Sequence, residues 1–135
     1  EHNEFVAGEI VERNLGDNKH SRLQVRAGRK LDEYFEKHPI GQIYAELHCR
    51  MRIEGESRFR LPDLCAVLTA EPPEFRYLDR APELAIEILS PSDALSDHLG
   101  KFEDYFANGP RLGWLILPEE HSVIVLTPSP LRVLP

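Results

Sequence analysis

Between Leu84 and Leu117 the chain reads strand, helix, strand, and that succession restricts its fold more than any other feature. Leu84-Ala85-Ile86-Glu87-Ile88-Leu89 is a continuous apolar run broken by one acid, the pattern of a central strand covered on both faces. Ser90-Pro91-Ser92-Asp93 carries helix-start chemistry, and Asn108-Gly109 supplies a C-terminal stop. Leu112-Gly113-Trp114-Leu115-Ile116-Leu117 is a second apolar strand. Strands joined by a helix of this length form a right-handed parallel crossover, which puts the chain in the α/β class.

The remaining elements fit around that unit. From Asn18 to His38, Leu23, Ala27, Leu31, Tyr34 and Phe35 recur at three- and four-residue spacing, so an amphipathic helix is expected, stopped by Pro39 and Gly41. Ser21 with Gln24 offers a capping box, and Asp17 or Asn18 offers an earlier cap. Arg22, Arg26, Arg29 and Lys30 gather on another face, either as a solvated basic surface or as a strip that meets phosphates. Ile43 to Ile53 alternates apolar and polar residues, a half-buried strand. The Glu54-Gly55-Glu56-Ser57 turn leads to a strand at Leu61–Leu68, and the two strands are expected to form an antiparallel hairpin. After Pro118–His121 the chain turns into Ser122–Leu126. The expected order is helix, three strands, helix, two strands, in a mixed central sheet and a single domain over residues 1–135.

Charge and motifs exclude several classes. A net charge of −7 argues against a domain that coats nucleic acid nonspecifically, since such domains are usually basic. It leaves room for an enzyme whose carboxylates hold a cation beside a local basic strip. No apolar run approaches the roughly 20 residues of a membrane span, and the start Glu1-His2-Asn3-Glu4 lacks a signal peptide's order, so a cytoplasmic location is the expectation. Cys49 and Cys65 fall on apolar-facing strand positions and are expected as buried free thiols. GxSxG, GxxxxGK[ST], HExxH and GxGxxG are absent, and the six histidines are scattered.

Glu87 is the most informative residue. An unpaired carboxylate in a covered strand costs several kcal/mol, so a bound cation, an arginine partner or contact with water at a strand end must offset it. Asp63, after Pro62, opens the preceding strand, where hairpin pairing can bring it to the same sheet edge as Glu87. Two such carboxylates suit Mg²⁺, which keeps several waters and takes only one or two acidic side chains. Asp93, Asp97, Lys101 and Tyr105 are four apart and share a helix face. Lys101 is either half of an exposed pair with Asp97 or an ammonium held over the carboxylates, able to orient water and offset charge on a phosphate. His20 and Glu9 approach from the first segment as solvated polar residues or as supporting groups.

The ordered set Pro62-Asp63, Glu87-Ile88-Leu89-Ser90-Pro91-Ser92-Asp93, Lys101, Tyr105, Gly109 and Trp114 to Pro118 resembles a bacterial restriction-endonuclease-like family, a branch of the PD-(D/E)xK nuclease superfamily. The likeness runs from Gly8-Glu9 to Val125. It implies a restriction-endonuclease-like core, with Asp63 as the motif aspartate and Glu87 as the acid of the (D/E)xK element, both ligands of Mg²⁺ or Mn²⁺. Leu89 stands where the superfamily's lysine would, and the resemblance assigns that role to Lys101 on the following helix. Glu46 matches an acidic position on the first strand. Leu117-Pro118 departs from the family's usual aspartate before that proline. The resemblance implies DNA as substrate, allows a homodimer, and leaves both chain ends open to trimming. Recognition residues are expected on loops such as Thr69–Pro82. The rival readings are a nuclease-fold binding or interaction module with little catalysis and a small-molecule hydrolase built on the same metal site.

Overall fold

A computed structural model describes residues 3–12, 17–68, 74–109 and 112–128. In chain order the elements are β1 (Asn3–Val6), β2 (Glu9–Glu12), α1 (Asn18–Lys37), β3 (Gln42–Ala45), β4 (Cys49–Ile53), β5 (Glu56–Arg60), β6 (Leu64–Val67), β7 (Leu84–Ile88), α2 (Leu95–Phe106), β8 (Leu112–Leu117) and β9 (Ser122–Leu126). They form a mixed five-stranded sheet in the order β3-β6-β7-β8-β9 and an antiparallel four-stranded sheet in the order β2-β1-β5-β4. β7 and β8 run parallel and their other neighbours antiparallel, with α2 as the crossover between them.

The continuous apolar run of β7 has its explanation in this arrangement. All five residues are buried, because each face of the central sheet is covered. On one face Leu64, Ala66, Leu84 and Ile86 meet Ala27, Leu31 and Phe35 of α1. On the other Ala85 and Leu115 meet Phe102 and Tyr105 of α2, together with Cys49 and Met51 of β4. The alternation of strand side chains thus sends Ile86 to the first face and Glu87, one residue on, to the second. α1 begins as one of the expected alternatives: Asp17 caps it by accepting the His20 N–H at 2.9 Å. Gln24, freed from a capping box, donates instead to the Asp63 carbonyl at 2.9 Å. At the far end of α2, Asn108 accepts the Arg52 N–H and so ties the helix terminus to β4.

Three expectations need correction. The alternating run Ile43–Ile53 is two strands in two sheets, β3 and β4, broken at Glu46, whose φ of 52° is left-handed. Its partner breaks as well, at Leu61-Pro62-Asp63, so that β4 pairs with β5 across the Glu54-Gly55 turn while β3 pairs with β6. The chain therefore changes sheet twice where one hairpin was expected. The Ser90–Asp93 sequence makes a turn ahead of α2, with Ser90 N–H donating to Asp93 Oδ2 at 3.0 Å and Asp93 N–H to the Ser90 carbonyl at 2.9 Å. The helix itself starts at Leu95 without a side-chain cap. Of the expected recognition loop, residues 69–73 lie outside the described residues. Its later part is fastened to β4 by the Cys49–Leu78 bridge and by the paired Arg50–Asp79 contacts at 2.7 Å.

Cys49 and Cys65 are free and fully buried. The Cys65 thiol is held well above its ordinary 9.0, first by a hydrogen bond with the Cys49 thiol and then by burial. A raised pKa favours the folded thiol, so this contribution is present below the unfolded value and is lost as pH climbs past about 9. Thiol labelling at pH 8 should therefore follow global unfolding; rapid labelling of the native protein would contradict the packing.

Gly113 in β8 lies under Phe102, and a Cβ there would stand 2.5 Å from two of its ring carbons. Gly113→Ala should cost about 1–3 kcal/mol through overpacking, seen as a lower urea midpoint with the slope unchanged. An unmoved midpoint would mean that the ring has room to retreat.

Candidate functional site

Asp63, Glu87 and Lys101 line one cavity of about 380 Å³. The β6–β7 register pairs Leu64 with Ile86, and one step further along the same antiparallel ladder sets Asp63 opposite Glu87. Both acids are buried, at 1% and 0% exposure. Asp63 is fixed beside its partner by a main-chain bond: the Ile88 N–H, directly after Glu87, donates to Asp63 Oδ2 at 2.7 Å. His20 Nε2 stands 3.3 Å from the same oxygen. The turn created by Pro62 thus delivers a carboxylate to the end of the central strand.

Glu87 is satisfied from α2. Lys101 Nζ lies 3.3 Å from Oε1 and the Tyr105 hydroxyl donates to Oε2 at 3.4 Å. Burial, followed by the negative charge of Glu87, pushes the Tyr105 phenol well above its ordinary range, which leaves it a donor. The i,i+4 spacing of Lys101 and Tyr105 is what lets both reach one carboxylate. Lys101 turns inward to Glu87 and, 3.4 Å away, to Glu4 Oε1. Asp97 lines the cavity from an exposed position one turn earlier.

Glu4 is one site residue that sequence reasoning missed. It is buried, accepts the Leu61 N–H at 2.8 Å, and stands 3.6 Å from Arg60. Its strand belongs to the β1–β2 hairpin, closed by Ala7 and Gly8 at φ 52° and 80°. A two-residue turn with positive φ at both positions is a hairpin device, so Ala7-Gly8 carried the signal, but four-residue strands show too little periodicity to reveal it. Glu9, on the partner strand, is exposed and does not line the cavity. Glu46 does not line it either: placed at the β3–β4 break, it supports the site through its N–H, 3.3 Å from the Asp63 carbonyl. Arg22, Arg26, Arg29 and Lys30 are exposed on α1, outside the cavity, on the helix whose first turns carry His20 and Gln24 to Asp63. His98 was also missed; a lone histidine carries no spacing signal, yet its ring is buried at the cavity wall.

The cavity contains five carboxylates, Glu4, Asp63, Glu87, Asp93 and Asp97, against two permanent cations, Arg60 and Lys101. A phosphodiester entering it meets a formal excess of three negative charges, whereas a divalent cation is attracted. Among the described residues, no three His, Cys, Asp or Glu side chains close into a metal cluster. Two buried carboxylates on one water-accessible cavity fit a hard cation that takes few protein ligands and keeps part of its hydration.

Helix, mixed sheet and crossover make a restriction-endonuclease-like core, with two buried acids side by side at the end of its central strand. A solved structure described as "a putative nuclease belonging to DUF820 from Anabaena variabilis ATCC 29413" superposes with a TM-score of 0.82 over 95% of this chain and 73% of that one, at 24% identity. The family model Uma2, described as "Putative restriction endonuclease", matches residues 1–133, and the chain belongs to that family. No curated protein matches it. Among the described residues, no helix is long and apolar enough to cross a membrane.

The site rests on a second ion network. Asp104 of α2 accepts from Arg58 Nη1 and Arg60 Nε of β5, each at 2.9 Å, and is almost fully buried. Asp104→Ala would take this carboxylate from the largely buried Arg58 guanidinium and leave Arg60 the more distant Glu4. It should cost about 3–5 kcal/mol, read from chemical denaturation, while a loss below about 1 kcal/mol would show that the arginines find other partners or water.

Proposed function

We propose that this protein is a divalent-metal-dependent phosphodiesterase acting on DNA, with Asp63 and Glu87 holding Mg²⁺ or Mn²⁺. The observation that carries this reading is the placing of two buried carboxylates side by side, with the Lys101 ammonium 3.3 Å from one of them. When bound, the cation would supply Lewis-acid polarisation of a phosphoryl oxygen and neutralise the acidic cavity. Asp63, fixed by the Ile88 N–H and His20, keeps one orientation without reorganisation. Lys101 puts a positive charge and N–H donors at the cavity wall, where they orient a water and offset charge growing on the phosphate. Tyr105 holds the second oxygen of Glu87 and so fixes the direction in which the first one faces.

DNA is favoured over a small enclosed substrate by the basic face of α1. Arg22, Arg26, Arg29 and Lys30 are four exposed cations on the helix that also reaches Asp63, and phosphates flanking a scissile bond need such a strip. The rival reading is a nuclease-fold interaction module whose Glu4–Lys101–Glu87 ion network is purely structural.

Cleavage of plasmid and single-stranded DNA with Mg²⁺ and with Mn²⁺ separates the two. The wild-type protein should cut, Lys101→Ala should lose about 10²–10³-fold in rate, and Asp63→Asn and Glu87→Gln should fall at least as far. Calorimetry should show Mn²⁺ bound by the wild type and not by Glu87→Gln. Equal cleavage by all four proteins would remove these residues from the chemistry, and failure of the wild type both to cut and to bind metal would leave the interaction module.

A further inference from the structure

His98 lies on α2 one turn before Phe102, with its ring buried against the cavity. Its two nitrogens have different surroundings. Nε2 stands 3.0 Å from Asp93 Oδ2. Nδ1 is buried, has no hydrogen-bond partner among the described residues, and stands 3.7 Å from Glu87 Oε1, beyond hydrogen-bond reach.

A buried ring nitrogen left unpaired is destabilising, and the turn does not need it. Ser90 and Asp93 already close that turn with reciprocal bonds. In the neutral ring, with Asp93 accepting the Nε2 proton, the lone pair is on Nδ1 and faces Glu87 Oε1, which keeps a lone pair beside the one that meets Lys101. Two acceptors held facing each other are satisfied by a cation shared between them. At 3.7 Å the two atoms stand wider than the roughly 3 Å that adjacent ligands of an octahedral ion span, so ring and carboxylate close by about 0.7 Å when they share one. A carboxylate that holds the far nitrogen of a ligand histidine is the usual second partner at such sites, since it fixes the tautomer and raises the basicity of the ligating nitrogen.

We infer that His98 Nδ1 is a metal ligand beside Glu87, oriented by Asp93, and that it gives the site a preference for Mn²⁺ or Co²⁺ over Mg²⁺. The inference rests on the metal-dependent reading above and extends it. Imidazole suits the transition ions, whereas Mg²⁺ selects oxygen donors and water. The cavity thus combines hard carboxylates with one nitrogen donor, and discrimination between cations falls to His98.

The test uses the full chain and metal alone. Pulsed electron paramagnetic resonance of the Mn²⁺-loaded wild type should show coupling to a directly bound ¹⁴N, replaced by ¹⁵N coupling in protein grown on ¹⁵N-histidine. That measurement needs no variant to fold. His98→Gln, which preserves much of the side-chain volume, should lose the nitrogen coupling and bind Mn²⁺ about 10–100-fold more weakly, with Mg²⁺ affinity changed less than about twofold. Asp93→Asn should keep the coupling and weaken Mn²⁺ binding about tenfold. Mn²⁺ bound through Glu87 without nitrogen coupling, or coupling that survives His98→Gln, overturns this inference and leaves the metal-dependent reading standing. Absence of Mn²⁺ binding in the wild type overturns both.

Discussion

The structure is organised around a carboxylate that the sheet would otherwise exclude. Glu87 is the fourth residue of a strand buried on both faces, with 0% exposure, and an ion in that position is destabilising until its oxygens are matched. The matching groups come from α2: Lys101 and Tyr105 reach its two oxygens, and the ring of His98 stands beside them. Helix α2 is therefore fixed in rotation as well as position, because the face that presents Phe102 and Tyr105 to the core must also present these polar groups. Packing and site chemistry impose the same helix orientation, and neither can shift alone.

The network extends outward from that point. Lys101 joins Glu87 to Glu4, Arg60 joins Glu4 to Asp104, and Arg58 shares Asp104. Successive ion pairs thereby stitch β1, β5 and α2 to the central strand, across the interval between the two sheets. Such pairs add little net stability over apolar packing, but removing one partner strands the other. Their effect is to define one registration of the small sheet against the large one, and so to hold Glu4 at the cavity.

Much of this was legible in the sequence, for physical reasons that also mark where reading failed. β7, β8 and β9 announce themselves because strands covered on both faces, or bounded by turn residues, differ sharply from their surroundings. Asp63, Glu87 and Lys101 stood out because acids and amines among apolar residues need partners. Ile43–Ile53 misled because period-two alternation reports that every second residue faces a core, without reporting that Ile43 of β3 faces a different one from Cys49 and Met51 of β4. The change of sheet lies in the left-handed Glu46, and glutamate, unlike glycine, gives no warning of positive φ. Glu4 and His98 were invisible for a different reason: each acquires its surroundings from tertiary contacts with residues far along the chain, Glu4 with Leu61 and Lys101, His98 with Glu87.

Leu89, two places after Glu87, and Lys101 on α2 show how the fold brings an ammonium to a buried carboxylate. Leu89 occupies that place and packs against the cluster formed by Cys49, Phe102 and Tyr105. An ammonium there would have to displace core contacts at the end of the strand. Lys101 approaches the same carboxylate from the helix above, with its stem along the cavity wall and only 11% of its side chain exposed, so its charge is delivered without interrupting the sheet core. Because Lys101 also holds Glu4, it ties Glu87 to the second sheet, a connection that Leu89, fixed in the strand and packed in the core, is not placed to make. A charge carried on the helix can thus hold together what one in the strand could not, and the four-stranded sheet reaches the cavity through Lys101.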